Sequence, residues 1–175
     1  MQKRILFKLH HSLTMLTLKR LLLTISMCCL MATVNAAPMD DAKAAYERGD
    51  YALELKILKS LAAQGVANAQ YNLGIMYYTG RGVTQDYKEA MKWFRLAAEQ
   101  GYADAQFNLG GMYKDGQGVT QDYASAHMWW NLASSAGVAD GAKNRDIVAK
   151  RMTPQQIEKA QDMARACQAR NFKGC

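Results

Sequence analysis

Gly65-Val-Ala-Asn-Ala-Gln-Tyr-Asn-Leu-Gly74 returns 36 residues later as Gly101-Tyr-Ala-Asp-Ala-Gln-Phe-Asn-Leu-Gly110. The echo continues on both sides. Gly80-Arg-Gly-Val-Thr-Gln-Asp-Tyr87 is matched by Gly116-Gln-Gly-Val-Thr-Gln-Asp-Tyr123, and Asp50-Tyr51, Asp86-Tyr87 and Asp122-Tyr123 keep the same interval. About two thirds of the positions from Gly65 to Tyr87 are identical in the copy, so self-similarity at one fixed period decides the fold. A period of this length belongs to stacked units, none of which can bury its apolar face alone.

The content of one unit is helical. Tyr87, Ala90, Met91, Phe94, Ala97 and Ala98 fall at the three-and-four spacing of one helical face, and Lys88, Glu89, Lys92, Arg95 and Glu99 take the rest. Gly101 stands where a left-handed residue ends a helix at low steric cost. A second helix follows, with Ala105, Leu109, Met112 and Tyr113 on its buried side and Asn108 on a flank. Gly110 lies inside it, where glycine costs about 1 kcal/mol and is tolerated for the close approach of a neighbouring backbone. Gly116 and Gly118 mark the turn to the next helix, for which Thr120 or Asp122 offers an N-cap. The expected fold class is therefore all-α, an α-solenoid of helical hairpins.

These positions carry a family likeness. Ala97-Ala98, Gly101, Ala105, Leu109-Gly110, Tyr113, Gly116, Gly118-Val119, Asp122-Tyr123, Ala126 and Trp129 resemble the Sel1-like repeat, a relative of the tetratricopeptide repeat. The preceding copy matches through Ala62, Gly65, Ala69, Leu73-Gly74, Tyr77, Gly80, Gly82-Val83, Asp86-Tyr87, Ala90 and Trp93, so the likeness spans residues 50–140. The resemblance implies helix-turn-helix repeats that serve as an adaptor surface for other proteins, with no shared catalytic centre. The chain then divides into 1–36, a secretory signal peptide, and 37–49, an N-terminal capping helix. Sel1-like repeats follow at 50–85 and 86–121, then a degenerate third repeat at 122–152 and a C-terminal capping helix and tail at 153–175.

The ends read differently from the middle. Lys3, Arg4, Lys8, Lys19 and Arg20 precede the apolar run from Leu21 to Val34, and Val34-Asn35-Ala36 has small residues where a signal peptidase needs them. Met15 is an alternative start. An uncleaved anchor is the competing reading, but the run falls short of the about 20 residues a spanning helix requires. Removing the leader changes the charge: the whole chain carries +7, whereas after residue 36 there are 17 basic against 15 acidic residues, a net +2. With no basic cluster interleaved with aromatics, nucleic acid is not the expected partner. Ala42, Ala45 and Tyr46 give the first helix a small apolar face, and Leu53, Leu55, Ile57, Leu58, Leu61 and Ala62 give the next a broad one. At the other end, the positions equivalent to Leu109-Gly110 become Arg145-Asp146, as suits a last unit with no neighbour to cover it. Thr153-Pro154-Gln155-Gln156 then opens a final helix, whose Ile157, Ala160, Ala164 and Cys167 are expected to pack on the third unit as a cap.

Few residues could carry chemistry. Cys28 and Cys29 leave with the leader, and Cys167 and Cys175 remain, close enough in sequence for a disulfide that folds the tail back; a frayed tail or two free thiols are the alternatives. His127, alone in the mature chain, lacks the companions a metal site or general base needs, and Gly80-x-Gly82 and Gly116-x-Gly118 are turns rather than phosphate cradles. No catalytic residue, metal site or cofactor is expected. Adjacent aromatics on a helix diverge by about 100°, so one of Trp93 and Phe94, and one of Trp129 and Trp130, is expected to face the groove. The expected function is an exported, non-catalytic scaffold of the periplasm or exterior, a monomer that binds a protein or peptide on its concave face. Lys88, Lys92, Arg95, His127, Trp130 and Asn131 are the candidate contacts. The alternative, suggested by the resemblance alone, is a cell-wall ligand binder or weak β-lactam hydrolase of the envelope.

Overall fold

The computed structural model describes residues 38–175 as eight helices with no strand among them: α1 (38–47), α2 (Tyr51–Ala63), α3 (Ala67–Thr79), α4 (Tyr87–Ala98), α5 (Ala103–Asp115), α6 (Tyr123–Ser135), α7 (Ala139–Ala149) and α8 (Pro154–Ala169). The expected leader, 1–36, lies outside the described residues.

The repeated aspartates set where the first helix of each unit begins. Asp50 accepts from the backbone N–H of Leu53 at 3.0 Å, Asp86 from those of Lys88 and Glu89 at 2.9 and 3.1 Å, and Asp122 from that of Ala124 at 2.9 Å. Each satisfies donors that the first turn leaves open and puts negative charge at the positive end of the helix. Asp122, not Thr120, is thus the cap of α6. The second helices α3, α5 and α7 have no side-chain cap. In α3 and α5 a buried glutamine ties the hairpin instead: the Gln70 and Gln106 amides donate to the carbonyls of Ala62 and Ala98 at 3.2 and 3.3 Å. Both helices end at a left-handed glycine, Gly80 with φ 74° and Gly116 with φ 69°.

Hairpins stack through the glycine inside each second helix. A Cβ on Gly74 would lie 2.6 Å from the Phe94 ring, and one on Gly110 would lie 2.6 Å from the indole of Trp130. The close approach is therefore made by an aromatic side chain of the next unit and not by the expected backbone, and α4 or α6 delivers it 20 residues further along the chain. Phe94 and Trp129 are the two largest fully buried side chains, among Leu58, Leu73, Met76, Leu109, Met112 and Leu132.

The first unit departs from the expected apolar face. Leu53 is 36% exposed, while Glu54 beside it is buried and pairs with the Arg81 guanidinium at 3.1 Å. That guanidinium lies 4.5 Å from the ring centre of Tyr46, so one cation ties α1, α2 and the turn after α3 together. The corresponding positions in the next unit are Ala90 and Gln117, so this pair is a local replacement for repeat stacking where the neighbour is the short α1.

The last unit ends as its polar residues foretold, with Arg145 and Asp146 paired at 2.8 Å on α7. Thr153 and Gln156 form the reciprocal cap that starts α8, at 3.3 and 2.8 Å. Ala160, Ala164 and Cys167 are buried on its inner side and Ile157 is half-buried. The helix does pack on the third unit, but on α6 and scarcely on α7, so it leaves the path of the stack. Cys167 and Cys175 are bonded, with Cα atoms 5.6 Å apart. Asn171 and Phe172 turn the tail back in the left-handed region, at φ 50° and 66°, and the Phe172 ring rests near Gly101.

Candidate functional site

The 36-residue period assigns every position on α4 an equivalent on α2 and α6. Lys92 corresponds to Lys56 and Met128, Arg95 to Lys59 and Asn131, Trp93 to Ile57 and Trp129, and Leu96 to Ser60 and Leu132. On α2 and α4 this side is open. Lys56, Lys59, Ser60 and Lys92 are exposed, Leu96 is 38% exposed, and Ile57, Trp93 and Arg95 are half-buried. On α6 the same side is closed, because Met128, Trp129 and Leu132 share a buried cluster with Ala164 and Cys167 of α8.

Local contacts hold the open side in shape. The Trp93 indole N–H donates to Glu89 at 3.1 Å, Lys92 pairs with the same carboxylate at 3.3 Å, and the Lys92 ammonium lies 5.3 Å from the Trp93 ring centre. One acid thus positions both the ring and the cation one turn further on. In α6 the acid is replaced by Ser125, and the Trp129 indole N–H is buried with no partner among the described residues. Arg95 donates to the Tyr113 hydroxyl at 2.6 Å, which bridges α4 to α5. Lys56, Lys59 and Lys88 have no ion pair among the described residues.

Of the six candidate contacts, Lys88 and Lys92 are exposed, and Arg95 and Asn131 are half-buried, Asn131 accepting from Arg145 at 3.0 Å. Trp130 and His127 are each only 3% exposed and cannot serve as contacts. The expectation that one indole of the Trp129-Trp130 pair faces a groove fails because both sides of α6 are covered. Trp130 packs against Gly110 and donates to the Phe107 carbonyl at 3.0 Å, while Trp129 lies in the cluster shared with α8. Of the Trp93-Phe94 pair, Phe94 is fully buried and Trp93 half-buried. Burial and the nearby Arg145 cation hold the His127 pKa below its ordinary value, against a smaller opposing pull from Asp146. Lys56 and Lys59 escaped the reading of motifs, though their recurrence 36 residues on as Lys92 and Arg95 was a signal available in the sequence.

Capped helical hairpins stacked by a glycine-aromatic contact define an α-helical repeat protein. Residues 67–102 and 103–138 each match the family described as the Sel1 repeat, so the chain carries two Sel1 repeats, units of a family that commonly mediates protein–protein interaction. Those matches begin on second helices rather than at Asp50 or Asp86, one helix out of phase with the hairpins drawn above; a periodic stack has no absolute starting point. Among solved structures, the chain is 31% identical to a protective antigen present in uropathogenic Escherichia coli strains that displays an SLR fold, with a TM-score of 0.74. That likeness covers 78% of this chain and 30% of the antigen. A Sel1 repeat protein from Oxalobacter formigenes is 36% identical over 49% of this chain and 65% of that one, with a TM-score of 0.48. No curated protein matches the chain. Among the described residues, no helix is long and apolar enough to cross a membrane and no three His, Cys, Asp or Glu side chains gather as a metal site.

Proposed function

We propose that this chain is an exported, non-catalytic scaffold of the periplasm or exterior that holds a protein or peptide on the side built by its first helices. The observation that carries this reading is the open side of α2 and α4, where Lys56, Lys59 and Lys92 surround Ile57, Trp93 and Leu96. Half-buried aromatic and aliphatic groups accompanied by cations suit a binding surface: the apolar part supplies desolvation and the charges steer the encounter. The basic, apolar and small segments at the N-terminus support export.

Two measurements test this. Protein purified from cells should begin near Ala37; a chain retaining residues 1–36 in a cytosolic fraction removes the exported part of the reading. Crosslinking in intact cells followed by mass spectrometry should recover a protein partner that is lost when Lys92 and Arg95 are changed to Glu. A partner set unaffected by those changes excludes this surface.

A further inference from the structure

In units one and two the open side carries a basic pair at fixed positions, Lys56 with Lys59 and Lys92 with Arg95. In unit three the same positions hold Met128 and Asn131, and there α8 lies on α6. The chain is thus seen binding one helix on this side, at the one unit where the cations are missing. What α8 brings to that contact is a strip of small side chains, Ala160, Ala164 and Cys167, at intervals of four and three. Small residues let the helix come close enough for Met128, Trp129 and Leu132 to become fully buried. Of their counterparts, Lys92 and Leu96 are exposed and Trp93 is half-buried beside the Lys92 ammonium.

We propose that α8 is a built-in example of the ligand, and that the open side of α2 and α4 takes a second helix. This helix comes from another protein, carries small residues at i, i+4 and i+7 like α8, and has carboxylates on its flanks to meet Lys56, Lys59 and Lys92. The open side occupies the repeat positions that α8 covers on α6: Trp93 and Leu96 match Trp129 and Leu132, while cations stand where α6 has Met128 and Asn131. The occupant must therefore resemble α8 in its seam and differ in the sign of its border. This rests on the scaffold reading above and narrows it to one class of partner.

A designed helical peptide tests it, with alanines at i, i+4 and i+7 and glutamates on both flanks, labelled for fluorescence anisotropy against the full chain. Binding is expected, weakened at least tenfold by the double change Lys56→Glu, Lys92→Glu and also by Trp93→Ala. A peptide with lysines in place of the glutamates should bind at least tenfold more weakly. Circular dichroism of each variant should match the parent, since the changed groups are exposed or half-buried. Equal binding of both peptides, indifference to the substitutions, or preference for anionic lipid vesicles or nucleic acid over the acidic peptide would each overturn the inference. A partner crosslinked in cells on this side, without an acidic small-residue helix, overturns it too while leaving the scaffold reading intact.

Discussion

Gly110 and Gly111 sit side by side in α5 and should answer the same substitution with opposite signs. A Cβ on Gly110 meets the Trp130 indole at 2.6 Å, whereas one on Gly111 meets nothing within 4 Å. Gly110→Ala should lower stability by about 1 to 3 kcal/mol through overpacking. Gly111→Ala should raise it by about 0.5 to 1 kcal/mol, because alanine is the better helix former. Urea midpoints of the two variants decide the matter, and loss of stability in both would refute the glycine-aromatic account of stacking. His127 gives a pH signature. Its pKa is lowered in the fold, so the unfolded chain takes up a proton first as pH falls below the ordinary value of about 6.5. Its contribution should be intact above that value and decline with acidification until the folded histidine also protonates. His127→Met, which installs the residue of the preceding unit, should flatten the dependence of the urea midpoint between neutral and mildly acidic buffer.

At the scale of the element, α1 and α8 are held by devices the repeats do not use. Arg81→Gln alone would leave the buried Glu54 carboxylate without its cation, an arrangement that costs about 3 kcal/mol or more when fully buried. Combining it with Glu54→Ala copies the second unit's Ala90 and Gln117, and the double variant should be the more stable of the two in thermal unfolding. At the other end, the bond between Cys167 and Cys175 closes a short loop and should contribute at most about 2 to 3 kcal/mol. Reduction should raise amide exchange in the last turns of α8 and leave α3 to α5 nearly unaffected, since their caps and hairpin contacts do not depend on the tail. Uniform loosening under reductant would show that α8 is coupled to the whole stack.

Across the molecule, stability is shared between neighbours, so each end needs a cover. A chain stopped after residue 152 loses the helix that shares a buried cluster with Met128, Trp129 and Leu132. Its tryptophan emission should shift to the red, it should bind a hydrophobic dye, and it should self-associate. An unchanged spectrum would mean that Trp129 is buried by α4 to α7 alone. The same comparison explains how one repeated sequence yields two surfaces: wherever α8 lies, the side is closed and apolar, and elsewhere it is open and basic.

Much of this was legible in the chain itself. A 36-residue period, aspartate caps, left-handed glycines and a three-and-four apolar stripe are local or strictly repeated, and short-range sterics and hydrogen bonds set their outcome whatever surrounds them. Hence the helices, their hairpins and the cap at Thr153 could be foreseen, as could a close approach at Gly110, though not the aromatic ring that makes it. The candidate contacts could not be sorted in this way, because exposure depends on what lies across from a residue. Trp93 and Trp129 hold the same position in the repeat, and only the path of α8 leaves one accessible and buries the other. Likewise Glu54 sits where the repeat asks for alanine, and only the folded chain shows the arginine 27 residues away that makes its burial tolerable.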